Sequence, residues 1–198
     1  MNRTALLSRK TKETDIRLTL NLDGQGTGQI QTGVGFFDHM LDLLSRHALI
    51  DLTVQAKGDL QVDQHHTVED VGICLGQALE KALGDKKGIF RYGWALIPMD
   101  ESLAQVSLDL SGRSALVFQV HFTSPLIGDF ASELVREFFQ ALANNARMNL
   151  HIHVPYGSNS HHICEAIFKA FAKALRQAVG VDERAKTQIP STKGSLTE

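Results

Sequence analysis

The chain has 198 residues, 43% hydrophobic and 21% charged, with 16 glycines and 4 prolines. That composition excludes disordered, collagenous and membrane-embedded classes and suits one domain or two small ones burying roughly 70% of the unfolded surface. A formal net charge of −2 and a pI near 6.5 offer no basic field for nucleic acid or an anionic membrane, so the expected partner is a small molecule.

Asp15 to Leu22 alternates polar and apolar residues, the period of a half-buried strand. Asp23-Gly24-Gln25-Gly26-Thr27-Gly28 then reads as a hairpin turn into a second strand, Gln29 to Thr32. These glycines do not complete G-x-G-x-x-G, and no helix follows them, so a phosphate loop is not expected. Phe36 to His47 carries apolar residues at helical spacing, and Ile50 to Ala56 follows as a strand. A second helix is predicted from about Gln64 to Leu83, with Asp63 as its N-cap and Gly84 where a left-handed C-cap glycine belongs. The second half repeats the order, with strands near Trp94 to Pro98, Leu103 to Leu110 and Ala115 to Phe122 and a helix from about Ser132 to Ala146. A strand from Met148 to Val154 and a helix from about Ser160 to Val179, capped by Asn159 and Gly180, complete it.

Shifting the first half by 96 superposes His65, His66, Glu69, Ala78, Leu79, Ala82 and Gly84 on His161, His162, Glu165, Ala174, Leu175, Ala178 and Gly180. One helix upstream the offset is 98, which puts Asp51-Leu52-Thr53-Val54 on Asn149-Leu150-His151-Ile152 and His39 on Glu137. The predicted fold is therefore α+β, built from internally duplicated half-domains of about residues 1–88 and 89–182. Each half is a small, mostly antiparallel sheet with two helices, and neither can cover its own apolar face, so the halves are expected to fuse into a single domain over 1–198.

The repeated element is H-H-x-x-E at the start of a helix: His65, His66 and Glu69, then His161, His162 and Glu165. Residues three and four apart converge on one helix face, and a helix N-terminus disfavours a protonated imidazole, so the rings stay free to donate lone pairs. With His39 and Glu137 the repeats supply five imidazoles and three carboxylates, enough for two six-coordinate sites with open positions. Mixed imidazole and carboxylate ligation without thiolates suits manganese, iron or cobalt, manganese first. Cys74 and Cys164 form no C-x-x-C pair and are expected to be reduced. The N-terminal segment has no apolar signal region and no apolar run spans a membrane, which predicts a cytoplasmic protein. His47, His121, His151 and His153 have no copy in the other half, so surface or structural roles are expected for them.

Lys169, four residues after Glu165, suits either an ordinary ion pair or a functional role. Arg91, Arg113 and the run Ser191-Thr192-Lys193-Gly194 are candidate anion binders. Pro98-Met99-Asp100-Glu101 and Lys12-Glu13-Thr14 add carboxylates able to carry protons. On these residues alone the reading stops at a di-metal site near an anion pocket.

The ordered segments Arg9-Lys10-Thr11-Lys12-Glu13-Thr14, Phe37-Asp38-His39-Met40-Leu41, His65-His66-Thr67-Val68-Glu69-Asp70, Arg91-Tyr92-Gly93, Pro98-Met99-Asp100-Glu101, Asp109-Leu110-Ser111-Gly112-Arg113, Glu165-Ala166-Ile167-Phe168-Lys169-Ala170 and Pro190-Ser191-Thr192-Lys193-Gly194 resemble the imidazoleglycerol-phosphate dehydratase family of histidine biosynthesis. The resemblance covers nearly the whole chain. It implies a duplicated fold of the ribosomal protein S5 domain 2-like kind and a homo-24-mer with two Mn²⁺ per active site at subunit interfaces. It further implies metal ligation by His39, His65, His66, Glu69, His161, His162 and Glu165, with Glu137 where some members have His. It implies phosphate contacts from Arg91, Arg113, Lys169, Ser191 and Lys193, the serine and lysine lying in a C-terminal substrate-binding tail over 189–198. Leu43 stands where some relatives have Gln, at one expected substrate contact.

The implied reaction turns D-erythro-imidazoleglycerol phosphate into imidazole acetol phosphate and water. The departing proton on carbon 2 has no adjacent carbonyl to acidify it, so metal-stabilised imidazolate electrons, through a diazafulvene-like species, are the expected source of the push. Glu13 is the expected proton carrier and substrate contact, with Asp100 and Glu165 the other expected catalytic carboxylates. A di-metal phosphoesterase and a metal-stapled oligomeric scaffold are the two other readings of the same residues.

Overall fold

The computed structural model describes residues 3–196; Met1 and Asn2, and Thr197 and Glu198 of the expected tail, lie outside the described residues. In chain order the elements are β1 (Thr4–Lys10), β2 (Thr14–Asn21), β3 (Gly28–Gln31), α1 (Gly35–Ala48), β4 (Asp51–Gly58), α2 (His65–Leu83), β5 (Tyr92–Met99), β6 (Ser102–Asp109), β7 (Ala115–Gln119), β8 (Leu126–Ile127), β9 (Phe130–Ala131), α3 (Leu134–Asn145), β10 (Asn149–Tyr156) and α4 (Ser160–Val179).

The duplication is plain in the topology. Two four-stranded sheets run β1-β2-β4-β3 and β5-β6-β10-β7, so each strand of the first has a counterpart in the second. In each sheet two pairings are antiparallel and the last, β3 with β4 or β7 with β10, is parallel. A parallel pair needs a crossover, and α1 and α3 supply it. The predicted β2–β3 hairpin is therefore corrected: β2 already pairs with β1 on one edge and β4 on the other, so the chain after it must travel to the far edge of β4. Asp51 holds that passage, accepting the backbone N–H groups of Gln25 (2.9 Å) and Thr27 (3.1 Å). A Cβ on Gly24 would lie 2.3 Å from the Asp51 nitrogen, so the residue there must lack one.

A further change of repeat offset, from 88 to 98, has a structural cause. Gly28 faces Leu52 in the first sheet and Leu116 faces Leu150 in the second. The later partners stand 98 apart and the earlier ones 88, and the ten extra residues fall between β7 and α3, where the β8–β9 hairpin is inserted. Neither that hairpin nor β1 was among the predicted strands.

Alternating strand residues supply the core: Ile16, Leu18 and Leu20 from β2, Leu52 and Val54 from β4, Ala104, Val106 and Leu108 from β6, and Leu150 and Ile152 from β10 are all buried. Helix packing crosses the duplication, with α1 against α4 and α2 against α3. One helix of each half thus finds its apolar partner in the other half, and Leu44, Leu75, Leu142 and Phe171, one from each helix, line the same apolar space.

Helix ends follow local chemistry. The Asn159 side chain accepts the His161 and His162 N–H groups as predicted, whereas the N-cap position of α2 falls on Gln64, one residue after the predicted Asp63, whose side chain still accepts the His65 N–H at 2.8 Å. Neither predicted glycine cap is left-handed: Gly84 has the positive φ of +56° that favours glycine but pairs it with ψ −125°, and Gly180 has φ −57°.

Candidate active site

The cross-packing of α1 on α4 assembles a compact polar group. His39 Nε2 and His161 Nε2 lie 3.0 Å and 3.1 Å from the same oxygen of Glu165, while Lys169 Nζ donates to its other oxygen at 2.6 Å. Convergence of His161, Glu165 and Lys169 is the i,i+4 geometry of α4; His39 arrives from 126 positions away because α1 lies across that helix. Burial alone raises the Glu165 carboxyl, but the bonds from Lys169, His39 and His161 outweigh it and hold the group down to about 2. The carboxylate is thus ionised at neutral pH, with two imidazoles aimed at it. His39, His161 and Glu165 each bring a ligand atom within 4.8 Å of the others, and they are the one such trio of His, Cys, Asp or Glu among the described residues. Two imidazole nitrogens and a carboxylate oxygen fit a divalent transition metal and leave positions for water or substrate.

The second histidine of each repeated pair has different surroundings. His66 Nδ1 lies 3.0 Å and 3.2 Å from the two Asp59 carboxylate oxygens, with its Nε2 3.9 Å from Glu13. His162 Nδ1 lies 2.7 Å from Glu101 Oε2, with its Nε2 3.7 Å from Asp100, which takes φ +48° at the turn between β5 and β6. Hydrogen bonding to Asp59 raises the pKa of His66 from its ordinary value, and Glu101 does the same for His162. The His162 bond, then the Asn159 and Ser158 N–H groups, hold Glu101 well below the usual carboxylate range.

Asp59 escaped the sequence reading, and Glu101 entered it only as one of several carboxylates. A signal for Glu101 existed: it stands 88 after Glu13, as Ser102 stands after Thr14. Asp59 carried none, because position 157, 98 further on, is glycine.

His65, Glu69 and Glu137 do not join the trio. His65 and Glu69 lie in the first turns of α2; Glu137 lies in the first turn of α3, which packs on α2, and is 3.5 Å from Arg136. The expected ligands thus divide between the α1–α4 pair, which carries the trio and His162, and the α2–α3 pair, which carries His65, His66, Glu69 and Glu137.

Arg91, at φ +70°, gives Nε and Nη2 to Asp109 at 2.7 and 3.0 Å, and Nη1 to the Pro190 carbonyl at 2.8 Å. That last bond fastens the tail carrying Ser191 and Lys193, whose backbone folds into a turn in which Ser191 Oγ accepts the Lys193 N–H at 3.2 Å. Gly88 and Gln188 add a backbone bond of 2.9 Å beside it. Arg113 lies just before β7, with its carbonyl accepting the Asn149 amide at 2.7 Å. His47 lies within electrostatic reach of the trio: burial, Lys173 and Lys169 lower it, and Glu165 opposes them.

The family model described as Imidazoleglycerol-phosphate dehydratase matches residues 32–175. An imidazoleglycerol-phosphate dehydratase of Nitrobacter hamburgensis is 59% identical over 194 residues, covering 98% of both chains, and that of Azorhizobium caulinodans is 60% identical with the same coverage. Among solved structures, the imidazoleglycerol-phosphate dehydratase of Staphylococcus aureus superposes with a TM-score of 0.83 at 42% identity, over 90% of this chain and 99% of that one. The Pyrococcus furiosus enzyme, solved with (S)-C348, gives 0.83 at 37% identity, over 96% and 100%.

Proposed function

The chain belongs to the imidazoleglycerol-phosphate dehydratase family and is a hydro-lyase of histidine biosynthesis; from that premise we propose that its whole length works as a single domain with two manganese ions in each active site. The observation that carries the reading is the His39–His161–Glu165 trio with Lys169 at its edge, a mixed nitrogen and oxygen donor set beside a cation suited to a phosphate. His39, His65, His66, Glu69, Glu137, His161, His162 and Glu165 hold the metals. The family likeness, not the geometry, is the ground for reading the subunits as a homo-24-mer in the cytoplasm; the placement of the two donor sets on different helix pairs supports reading each site as completed at a subunit interface. No helix among the described residues is long and apolar enough to cross a membrane.

When bound, manganese supplies the positive charge that stabilises negative charge on the substrate's imidazole ring. Arg91, Arg113, Lys169, Ser191 and Lys193 fix the phosphate and so limit the reach and orientation of the ring. Glu13, on the exposed turn beside His66 Nε2, accepts the carbon 2 proton. The carbon 3 hydroxyl leaves with a proton as water, and the resulting enol ketonises to imidazole acetol phosphate. Asp100, beside His162 Nε2, is the matching carboxylate on the other half.

The test is turnover of imidazoleglycerol phosphate, following imidazole acetol phosphate and inorganic phosphate together, with Mn²⁺ and after chelation. Ketone that depends on metal, without phosphate release, is expected. Phosphate without ketone would make the protein a phosphoesterase, and neither product from a folded, metal-loaded oligomer would make it a scaffold. Glu13→Gln is expected to bind metal and substrate while losing turnover; wild-type turnover would remove its proton role.

A further inference from the structure

Each repeated His-His pair has a second imidazole between two carboxylates, one in hydrogen-bond contact with Nδ1 and one standing off Nε2. We propose that Asp59 and Glu101 are positioning residues, matched across the duplication, that hold His66 and His162 with the proton on Nδ1 and Nε2 presented as the metal-ligating nitrogen. The inference rests on the reading of His66 and His162 as ligands. A neutral imidazole carries one N–H, and giving it to a carboxylate 2.7 to 3.0 Å away leaves the lone pair on the other nitrogen. In the trio the carboxylate faces Nε2 of His39 and His161, the geometry of a shared ligand set; Asp59 and Glu101 face Nδ1, where they cannot share an ion with Nε2 of the same ring.

The two carboxylates are not copies of each other. Asp59 follows β4, whereas Glu101 lies between β5 and β6. The sequence counterpart of Glu101 is Glu13, and Glu13 stands on the Nε2 side of its histidine. The same arrangement is thus built twice from different residues, which marks the orientation of the ring, not the ancestry of a position, as what the site requires. Glu101 is itself firmly held: Oε1 accepts the N–H groups of Asn159 (2.8 Å) and Ser158 (3.1 Å) and the hydroxyls of Ser102 (3.0 Å) and Ser158 (3.3 Å), which leaves Oε2 aimed at His162. Asp59, with its side chain 17% exposed, commits both oxygens to His66.

A carboxylate that only stabilised a protonated imidazole would have the opposite effect on metal, because removing it would weaken the proton's competition. The experiment therefore reads a sign. Full-length wild type, Asp59→Asn and Glu101→Gln are stripped of metal and titrated with Mn²⁺, with free ion followed by its electron paramagnetic resonance signal. Each variant is expected to weaken one class of Mn²⁺ site by about 10- to 100-fold and leave the other unchanged. The Mn²⁺ concentration for half-maximal activity should rise in parallel, with substrate KM kept at saturating metal. Asp85→Asn removes an exposed carboxylate paired with Lys87 and should titrate as wild type. Glu101→Gln also disturbs the Ser158–Asn159 backbone, so Asp59→Asn carries the decision, with a circular dichroism melt to verify folding. Unchanged or tighter Mn²⁺ binding by folded Asp59→Asn overturns the proposal alone. A wild type that binds no Mn²⁺ overturns both the proposal and the reading beneath it.

Discussion

Phe138→Ala tests whether one aromatic cluster supports the site across both halves. Phe138 on α3 is fully buried, 5.3 Å from the ring of Phe37 on α1, 5.1 Å from Phe139 and 5.4 Å from Phe168 on α4. Phe37 lies two residues before His39, and Phe168 three after Glu165. A buried phenylalanine covers roughly 200 Å², and truncation to alanine forfeits about 150 Å² of that, or about 4 kcal/mol at ~25 cal/mol per Å². This falls within the ~3–5 kcal/mol usual for such truncations and is a large share of a typical total of ~5–15 kcal/mol. Metal at 100 times its Kd restores only about 2.7 kcal/mol. Urea unfolding followed by far-ultraviolet circular dichroism, at one protein concentration, with chelator and with Mn²⁺, should show the full loss in chelator and partial recovery with metal. Phe138→Leu should lose only about 1–2 kcal/mol because it refills most of the space. A loss below 2 kcal/mol for alanine, or equal losses for alanine and leucine, would refute the reasoning.

Gly93→Ala places a Cβ 1.9 Å from the Ala174 carbonyl oxygen, backbone against backbone, so β5 must lift from α4. Its yield of soluble protein or its melting midpoint should fall sharply, while Gly84→Ala, with no neighbour in the way but a backbone at φ +56° and ψ −125°, should cost about 1–3 kcal/mol of conformational strain. Lys169→Met should raise substrate KM by at least about tenfold, the loss of one charge-assisted bond, yet bind Mn²⁺ at least as tightly because a cation leaves Glu165; weakened Mn²⁺ binding would contradict this. Burial pushes the Cys74 thiol up to about 11 and Cys164 well above its ordinary value, so the reactive thiolate is scarce at pH 8. Ellman's reagent should therefore label neither thiol at pH 8 until denaturant is added; rapid labelling of the native protein would mean that the α2 or α4 packing opens readily.

Periodicity located the helices because each has an apolar stripe flanked by polar residues, and the α4 range agrees from Ser160 to Val179. The duplication was legible because H-H-x-x-E is rare enough to be seen twice. Strand partners were less so: Gly24, Gly26 and Gly28 signal that the chain bends, but a bend does not state which edge the next strand joins. β1 went unseen because its burial alternates weakly, with only Ala5 fully buried. The pairing of His39 with Glu165 was open to motif reasoning only as shared membership of a ligand list, since it depends on α1 crossing onto a helix in the other half. Asp59 shows the limit in one residue, an ordinary loop aspartate until the fold brings it to His66.

The exchange of helix partners between halves also sets a timetable for synthesis. The buried face of α1, with Phe37, Met40, Leu41 and Leu44, leaves the ribosome long before α4, the helix that packs on α1, since 112 positions separate Ala48 from Ser160. At roughly 5–20 residues per second, that apolar stripe waits about 6–22 s for its native cover. A nascent chain arrested after β4 should therefore hold a sheet with a sticky, uncovered helix, a natural client for a holding chaperone, whereas release of the finished chain lets α1 and α4 meet within one molecule.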